Sequence, residues 1–415
     1  INGRARAKLT AKEYFNRQDE LGLEVVKRSL NRLKQEYEVL IIEGAGSPAE
    51  VNLRDYDLVN MRIARLAGAP VVLVADIERG GVFASLVGTW ELLNQAERDR
   101  IAGIIINKFR GRKGRLQPGI DYLEEKLEVP VIGVVPYLDG FSLPEEDTPR
   151  PVNHSSGSQT VEIGVLRLPR VANFTDFTPL SRAPDVNLRY LKPEANLSAP
   201  LDGLIIPGSK NPIRDLELLY QAGWQERLSE WAGRVPIIGI CGGYQMLGEK
   251  IYNPHGLETD RRKIEGLGLL PVTTTLQEKK LTHQIKAELI SDELFAAGGK
   301  LTGYELHIGA TTRLAAASPL FKITERSGAK VEVLDGAAGF SGLVWGTYIH
   351  GLFSNDWFRG RFINWLKKQT GVTAPERVRK DITAVRNQNY NRLARALKTH
   401  LDTDRLFNII QEGGK

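Results

Sequence analysis

Residues 236–248 read Pro-Ile-Ile-Gly-Ile-Cys-Gly-Gly-Tyr-Gln-Met-Leu-Gly and contain Cys241, the only cysteine of the 415-residue chain. An apolar run ends at Cys241, two glycines follow and a helix-like segment begins, which predicts a strand, a sharp turn and a helix. Gly239 and Gly243 flank the cysteine in the Gly-x-Cys-x-Gly spacing of a nucleophile elbow. A thiol at a helix N-terminus favours the reactive thiolate. The alternative is a buried core cysteine beside a tight turn.

A cysteine nucleophile needs a base, and His350 is the candidate. It ends a second strand-like run, residues 343–349, and is followed directly by Gly351. In open α/β sheets, functional groups collect at the carboxyl ends of the strands. A lone histidine is more often structural than catalytic. Two reactive residue types, each at a strand end before a glycine, favour a Cys–His pair.

The motifs around these two residues resemble a known family. Residues 239–248 and 346–353 (Gly-Thr-Tyr-Ile-His-Gly-Leu-Phe) are similar to the class I glutamine amidotransferase domain of the cobyric acid synthase group. Residues 167–177, Arg-Leu-Pro-Arg-Val-Ala-Asn-Phe-Thr-Asp-Phe, resemble the opening of that domain. Residues 43–53 (Glu-Gly-Ala-Gly-Ser-Pro-Ala-Glu-Val-Asn-Leu) and 76–84 (Asp-Ile-Glu-Arg-Gly-Gly-Val-Phe-Ala) resemble the group's synthetase domain.

Short β-branched runs that alternate with helical stretches predict parallel, doubly wound sheets. The resemblance implies an α/β protein with two such domains. Residues 1–140 would form a P-loop NTPase-like synthetase domain, similar to dethiobiotin synthetase, that is truncated at its N-terminus. Residues 161–415 would form a flavodoxin-like class I glutamine amidotransferase domain that includes a C-terminal helical tail. Residues 141–160, rich in Pro, Ser, Gly and acidic side chains, are predicted to be a linker.

Individual elements follow from hydrophobic spacing. Residues 8–36 are predicted to be an amphipathic helix and residues 37–42 a buried strand. Further strands are expected at 70–75, 101–106 and 130–135, and in the second domain at 161–168, 204–206 and 302–311. From about residue 374 the chain is expected to be helical and to pack on the second domain.

Three polar residues follow strands of the first domain. Glu43 precedes Gly-Ala-Gly, where a carboxylate either holds Mg²⁺ or caps a helix, and the resemblance favours the metal. Asp76 has the same two interpretations and is assigned to the nucleotide site. Asn107 is a candidate for reading a base edge of ATP, although asparagine at a strand end often serves only the turn.

The second domain offers two further candidates by resemblance. The loop that contains Gly208 and the residue after the cysteine, Gly242, would supply the N–H groups of an oxyanion hole. An ordinary glycine turn is the alternative for Gly208. Many class I amidotransferases have a glutamate two residues after the histidine, but this chain has Leu352 there. Asp356 is nearby in the sequence, and the sequence does not indicate whether it reaches the imidazole.

The phosphate-binding loop Gly-x-x-x-x-Gly-Lys-[Ser/Thr] is not found in the sequence. In the family a related loop lies on the first strand, ahead of the point that corresponds to Ile1. The start at Ile1 suggests a fragment or a processed product. We therefore expect the chain as written to retain glutamine hydrolysis but not to couple ATP cleavage to amide formation.

Net charge, cysteine content and the length of apolar stretches bear on the partners and location expected for this protein. The net charge is +6 and the basic residues are scattered, so nucleic acid is not an expected partner. One cysteine cannot form an intrachain disulfide, and neither a signal peptide nor a stretch of about 18 apolar residues is present, so a cytoplasmic location without membrane contact is expected.

The resemblance implies ATP- and glutamine-dependent amidation of a corrinoid, with Mg²⁺ as the metal of the ATP step and no prosthetic group. The substrate would be adenosylcobyrinic acid a,c-diamide, amidated at its b, d, e and g carboxylates. A cobyrinic acid a,c-diamide synthase is an alternative within the same class, although residues 43–53 and 76–84 argue against it. A non-catalytic ATPase-like switch and a truncated inactive product are alternatives from other classes.

Overall fold

The chain divides into two units, and each combines stretches that are separated in the sequence. The computed structural model describes residues 22–52, 57–141, 160–194, 200–257, 259–314, 317–372 and 382–413. One unit is built mainly on Pro144–Val385, and the other combines Lys8–Leu143 with Arg386–Lys415. Residues 142–159, which include most of the predicted linker, lie outside the described residues.

The N-terminal unit is built on a parallel sheet. Its strands β1 (Val71–Asp76), β2 (Ile101–Phe109) and β3 (Val131–Pro136) lie side by side in that order, which confirms the three apolar runs as strands. Ile104 and Ile106 of the central strand are completely buried on one face of the sheet, and Ile105 on the other face is partly buried. The helices of this part are α1 (Glu24–Glu36), α2 (Met61–Ala67), α3 (Val82–Leu92), α4 (Gln95–Arg98) and α5 (Gln117–Leu127).

The predicted strand at residues 37–42 is wrong. This segment pairs with no strand among the described residues, and Ile41 is 90% exposed. A buried parallel strand needs hydrogen-bonded neighbours, but β1 pairs only with β2 in the described part of the chain. The apolar side chains that suggested burial therefore remain in contact with solvent. Of the predicted helix 8–36, only residues from 22 onward are described, and there the α-helix runs from Glu24 to Glu36.

The second unit contains two sheets. Its strands are β4 (Val161–Leu166), β5 (Val186–Leu191), β6 (Gly203–Ile206), β7 (Ile237–Ile240), β8 (Lys250–Tyr252), β9 (Lys263–Glu265), β10 (Val272–Leu289), β11 (Lys300–Arg313), β12 (Phe321–Arg326), β13 (Ala329–Asp335), β14 (Ala337–Gly339) and β15 (Val344–Thr347). Its helices are α6 (Thr178–Ser181), α7 (Pro212–Gln221), α8 (Trp224–Trp231), α9 (Gly242–Leu247) and α10 (Asp356–Thr370).

The first of these sheets is the predicted doubly wound one. Its order is β5-β4-β6-β7-β15, all parallel, with antiparallel β14 at the edge next to β15. The chain winds to one side of β4 through β5 and to the other side through β6. The carboxyl ends of β4 and β6 therefore border the topological switch point, where open α/β sheets bind ligands.

The second sheet of this unit is mostly antiparallel and was not predicted as a separate layer. Its order is β13-β12-β10-β8-β9, and β11 pairs with β10. The predicted strand at 302–311 is confirmed as part of β11, but it belongs to this sheet and not to the doubly wound one. β11 also forms a bridge between Tyr304 and His350, which connects the second sheet to the carboxyl end of β15.

The C-terminal tail packs on the N-terminal unit, so its predicted place in the amidotransferase domain is wrong. The tail forms helices α11 (Ile382–His400) and α12 (Thr403–Glu412). Between them, Leu401 forms an antiparallel bridge with Gly133 of β3, and the Asp402 N–H donates to the Ile132 carbonyl at 2.8 Å. The tail thus forms hydrogen bonds with backbone groups of the edge strand β3. Among the described residues, no helix is both long and apolar enough to cross a bilayer.

Candidate active site

Cys241 occupies a strained elbow. β7 ends at Ile240, α9 begins at Gly242, and Cys241 between them has φ 52° and ψ −106°, which confirms the predicted strand, turn and helix. A positive φ costs a non-glycine residue on the order of 1–3 kcal/mol, and such strain is found most often at functional sites. The flanking glycines are needed for space, because a Cβ at Gly239 would lie 2.6 Å from Leu247 Cδ1 and one at Gly243 would overlap the Ile206 carbonyl.

The thiol lies where two strands end together. The Cys241 N–H donates to the Thr347 carbonyl at 2.8 Å, which ties the end of β7 to the end of β15. The sulfur lies 3.6 Å from the Leu306 carbonyl oxygen of β11, and the residue is 6% exposed. The sulfur is therefore enclosed between the doubly wound sheet and β11.

His350 is completely buried and is held by a carboxylate. Its Nδ1 lies 2.6 Å from Oδ2 of Asp176, and Oδ1 of Asp176 accepts from the Gly351 N–H at 2.9 Å. Because an ionised carboxylate only accepts hydrogen bonds, the proton on this side of the ring belongs to Nδ1. The Asn173 amide nitrogen lies 3.4 Å from Nε2 and 3.5 Å from Nδ1.

Neighbouring charges and hydrogen bonds together have a larger effect on the pKa of His350 than burial has. Burial alone would lower the pKa of His350, but the negative charges of Asp176 and Cys241, together with hydrogen bonds to both, raise it to about 10. The ring is therefore an imidazolium at neutral pH, as in the ion pairs that activate thiol nucleophiles. The structure thus brings together Cys241 and His350, which the sequence analysis had paired.

Asp176 is the residue of this group that the sequence analysis missed. It lies in the 3₁₀ turn Phe174–Phe177, and it is 5% exposed. Leu352, which occupies the usual position of the orienting glutamate, is buried, and Asp356 accepts from Arg359 at 2.6 Å. Asp176 belongs to the segment 167–177 that resembles the family, but its local pattern gave no sign that it would meet His350.

Gly208 and Gly242 lie beside the Cys–His pair. A Cβ at Gly208 would be 3.4 Å from Cε1 of His350 and 3.7 Å from Cβ of Cys241. Gly242 is the first residue of α9, where backbone N–H groups have no acceptor within the helix. A Cβ at Gly242 would lie 2.7 Å from the Ser209 nitrogen, so the two backbone segments are in close contact. Their role as oxyanion donors remains a prediction.

A buried carboxylate holds the loop that contains Gly208. Asp215, completely buried, accepts from the Ser209 hydroxyl at 2.5 Å and from Arg170 at 3.0 Å. Burial raises the pKa of Asp215, while Ser209 and Arg170 act in the opposite direction. The Ala172 N–H donates to the Gly208 carbonyl at 2.8 Å. The loop is thereby fixed to the segment that follows β4.

The candidates of the N-terminal unit are only partly brought together. Asp76 and Asn107 are register partners at the carboxyl ends of β1 and β2. Asp76 forms an ion pair with Lys108 at 2.7 Å, which lowers the pKa of Asp76. Glu43 is exposed on the unpaired segment, not at the end of a buried strand as predicted. No cluster of three metal-ligating side chains occurs in the described ranges. Mg²⁺ in nucleotide sites is usually held by one or two carboxylates together with phosphates, so the assignment of Glu43 to the metal remains a prediction.

Comparison with known proteins gives two family matches. Residues 162–358 match the CobB/CobQ-like glutamine amidotransferase domain, and residues 7–145 match an AAA domain. Cobyric acid synthase of Desulforamulus reducens is 43% identical over 420 residues, covering 100% of this chain and 81% of that protein. Cobyric acid synthase of Moorella thermoacetica is 45% identical over 417 residues, covering 99% of this chain and 80% of that protein.

Several solved structures are also similar over about half of the chain. The structure of PurLQS from Thermotoga maritima covers 51% of this chain and 97% of its own, with 15% identity and a TM-score of 0.38. A similarity of this size supports no inference about the chain.

Proposed function

This chain belongs to the cobyric acid synthase family, and on that premise we propose that it takes part in the amidation of the b, d, e and g carboxylates of adenosylcobyrinic acid a,c-diamide. Its residues supply the glutaminase step, and the ATP step also needs the phosphate-binding loop that the sequence does not contain. As a member of the family it is an ATP-dependent glutamine amidotransferase. The nitrogen comes from glutamine, and the corrinoid carboxylate is the acceptor. The four positions on the corrinoid follow from what the family resemblance implies.

The observation that carries the proposed glutaminase step is the enclosed arrangement of Cys241, His350 and Asp176. The Cys241 sulfur attacks the γ-amide carbon of glutamine, and the imidazolium of His350 gives its proton to the departing nitrogen. The C–N bond breaks, ammonia leaves and a thioester forms. Neutral His350 then takes a proton from water, which attacks the thioester and releases glutamate.

The groups around Cys241 and His350 stabilise charges that form during the reaction and orient the imidazole. Asp176 holds the Nδ1 proton, so that Nε2 is available to the sulfur and the nitrogen, and its charge stabilises the imidazolium. The N–H groups of Gly208 and Gly242 are the proposed donors to the oxyanion that forms on the γ-carbonyl oxygen. The elbow supports this role because it fixes the Gly242 N–H next to the nucleophile.

The synthetase step is proposed for the N-terminal unit. There ATP would convert a corrinoid carboxylate to an acyl phosphate, and ammonia would displace phosphate to form the amide. Asp76 and Asn107 remain candidates for nucleotide contacts, since they meet at the carboxyl edge of the sheet. Glu43 remains the proposed Mg²⁺ ligand.

Ammonia release from glutamine tests the glutaminase step. Wild type is expected to release ammonia and Cys241→Ala to release none, while His350→Asn lowers the rate by about two to four orders of magnitude, the scale of a lost general base. His255→Asn is the matched control, because His255 is exposed in the same unit. Equal release from wild type and Cys241→Ala would overturn the proposal.

Corrinoid binding tests the substrate. Equilibrium dialysis should show tighter binding of adenosylcobyrinic acid a,c-diamide than of the product in which all four carboxylates are amides, because the recognised groups are carboxylates. Equal affinity for the two, or binding of neither, would contradict the proposed substrate and leave the glutaminase assignment standing.

A further inference from the structure

Tyr304 makes three contacts with His350 from the antiparallel sheet. The Tyr304 N–H donates to the His350 carbonyl at 3.2 Å, and the His350 N–H donates to the Tyr304 carbonyl at 2.9 Å. The two rings are stacked, with centroids 5.0 Å apart and an interplanar angle of 11°. One residue of β11 thus fixes both the backbone and one ring face of His350.

The Tyr304 side chain also interacts with Asp176. Burial, and after it the charge of Asp176, raises the pKa of Tyr304, so the hydroxyl keeps its proton and can donate to the carboxylate. Asp176 Oδ1 already accepts from the Gly351 N–H and Oδ2 from His350. The phenol is therefore neutral beside the carboxylate that orients the imidazole.

The contact with Asp176 does not by itself fix the imidazole. A ring held through Nδ1 alone can still turn about the line of that hydrogen bond, which moves Nε2 away from the sulfur. The titratable groups that face His350 are Asp176, Cys241 and Tyr304, and Asn173 adds an amide nitrogen at 3.4 Å from Nε2. Of these, Tyr304 stacks its ring on the imidazole, and the Asn173 nitrogen, nearly equidistant from Nδ1 and Nε2, also lies over the ring.

We propose that Tyr304 is a positioning residue, which holds the His350 imidazole flat against its own ring and keeps Nε2 directed at the Cys241 sulfur. This inference rests on the proposed glutaminase function. Tyr304 acts through His350 and Asp176 and does not contact the reacting atoms. The antiparallel sheet thereby contributes to the geometry of a site whose reactive groups lie on the doubly wound sheet.

The test compares Tyr304→Phe, which keeps the stacked ring, with Tyr304→Ala, which removes it. Tyr304→Ala is expected to lower kcat by about 10- to 100-fold with a smaller change in KM, since small misplacement of a catalytic group is costly. Tyr304→Phe is expected to stay within about fivefold of wild type, because it retains the stacked ring and the backbone contacts with His350. Tyr252→Ala, on partly exposed β8 of the same unit, is the matched control and should not change kcat.

A second readout separates positioning from a general loss of structure. The rate of Cys241 alkylation by iodoacetamide, followed against pH, reports how well the imidazolium supports the thiolate. Its midpoint should move to higher pH in Tyr304→Ala and stay unchanged in Tyr304→Phe and Tyr252→Ala. Should Tyr304→Ala not fold, Tyr304→Leu retains an apolar side chain without a ring and carries the same expectations.

Two results would overturn the proposal. One is a kcat of Tyr304→Ala within threefold of wild type, and the other is a lowered kcat with an unchanged alkylation profile. Alkylation requires no glutamine, so it tests Tyr304 even where the proposed function fails. That separate failure would appear as equal ammonia release from wild type and Cys241→Ala.

Discussion

Oδ2 of Asp176 lies 2.6 Å from Nδ1 of His350, although the two residues are 174 positions apart in the chain. Both side chains are buried, so the contact is a charge-assisted hydrogen bond shielded from water. The negative charges of Asp176 and Cys241 both act on the His350 imidazole, so these three residues form one group. Residues following His350 in the sequence supply no comparable partner, since Leu352 is apolar and Asp356 binds Arg359.

Asp176→Asn is expected to lower the kcat of glutamine hydrolysis by about 10²- to 10⁴-fold, the scale seen when the carboxylate of a catalytic triad becomes an amide. The amide removes the charge that stabilises the imidazolium and can present its NH₂ to Nδ1, which forces the proton to Nε2. KM should change little, because Asp176 does not contact glutamine in the proposed scheme. Ammonia release measures the rate, and circular dichroism checks that the variant is folded.

Asp356→Asn is the matched control for this substitution. Asp356 is 40% exposed at its side chain and pairs with Arg359, so its loss should leave kcat within threefold of wild type. If the two variants lose the same activity, or if Asp176→Asn stays within threefold of wild type, the contact with His350 does not serve catalysis.

The charge on His350 predicts a pH dependence of stability. The folded-state pKa of His350, raised to about 10, lies above its unfolded value near 6.5. Its stabilising contribution is therefore fully present below about pH 6.5 and is lost as the pH rises toward 10. In that window the folded state binds more protons, so the free energy of unfolding should fall with pH, by at most about 1.4 kcal/mol per pH unit from this group.

Urea unfolding at pH 6, 7.5 and 9 measures this dependence, with His350→Gln as the reference that cannot titrate. The free energy of unfolding of wild type should fall faster than that of His350→Gln between pH 7.5 and 9. Parallel curves for the two proteins would mean that His350 has no raised pKa in the folded state.

The positions of Cys241 and His350 at strand ends could be predicted because the residues that determine each strand end are neighbours in the sequence. A β-branched run that stops at a glycine-flanked reactive residue specifies a strand end, and parallel strands bring their carboxyl ends to one edge. The parallel strands β1, β2 and β3 were predictable for the same reason. In each case the apolar run and the turn residues that end it lie within about ten positions of each other.

The features that the sequence did not reveal depend on distant partners. Asp176 meets His350 only because the segment after β4 folds over the end of β15. Residues 37–42 have the composition of a buried strand, but in the described part of the chain no strand pairs with them. The apolar stripe of the tail does not indicate which unit the tail packs on, and the observed place includes contacts with Ile132 and Gly133.

Gly208→Ala is expected to impair glutamine hydrolysis by filling space. The new methyl group would lie 3.4 Å from Cε1 of His350 and 3.7 Å from Cβ of Cys241, which are ordinary contacts, so the expected effect comes from its occupying space beside the two reactive residues. We expect kcat/KM to fall by at least about 10²-fold, comparable with the loss of one oxyanion donor. Gly339→Ala is the matched control, because its methyl group would make contacts of the same length, 3.5 Å to Leu269 and Leu270, with neither reactive residue among its neighbours. Full activity in Gly208→Ala would show that the substrate carbonyl lies elsewhere.

Gly133→Ala should loosen the C-terminal tail and spare glutamine hydrolysis. A Cβ at Gly133 would overlap the Leu401 side chain and lie 2.8 Å from the His400 carbonyl oxygen, so the bridge between β3 and the tail cannot persist unchanged. Overpacking of this kind costs about 1–3 kcal/mol. Amide hydrogen exchange, measured by mass spectrometry, should therefore accelerate in β3 and in residues 382–413, while ammonia release stays within twofold of wild type because Cys241 belongs to the other unit. Gly88→Ala is the control, since its methyl group would have no neighbour within 4 Å and should leave exchange in the tail unchanged. Unchanged exchange in residues 382–413 of Gly133→Ala would show that the bridge does not hold the tail in place.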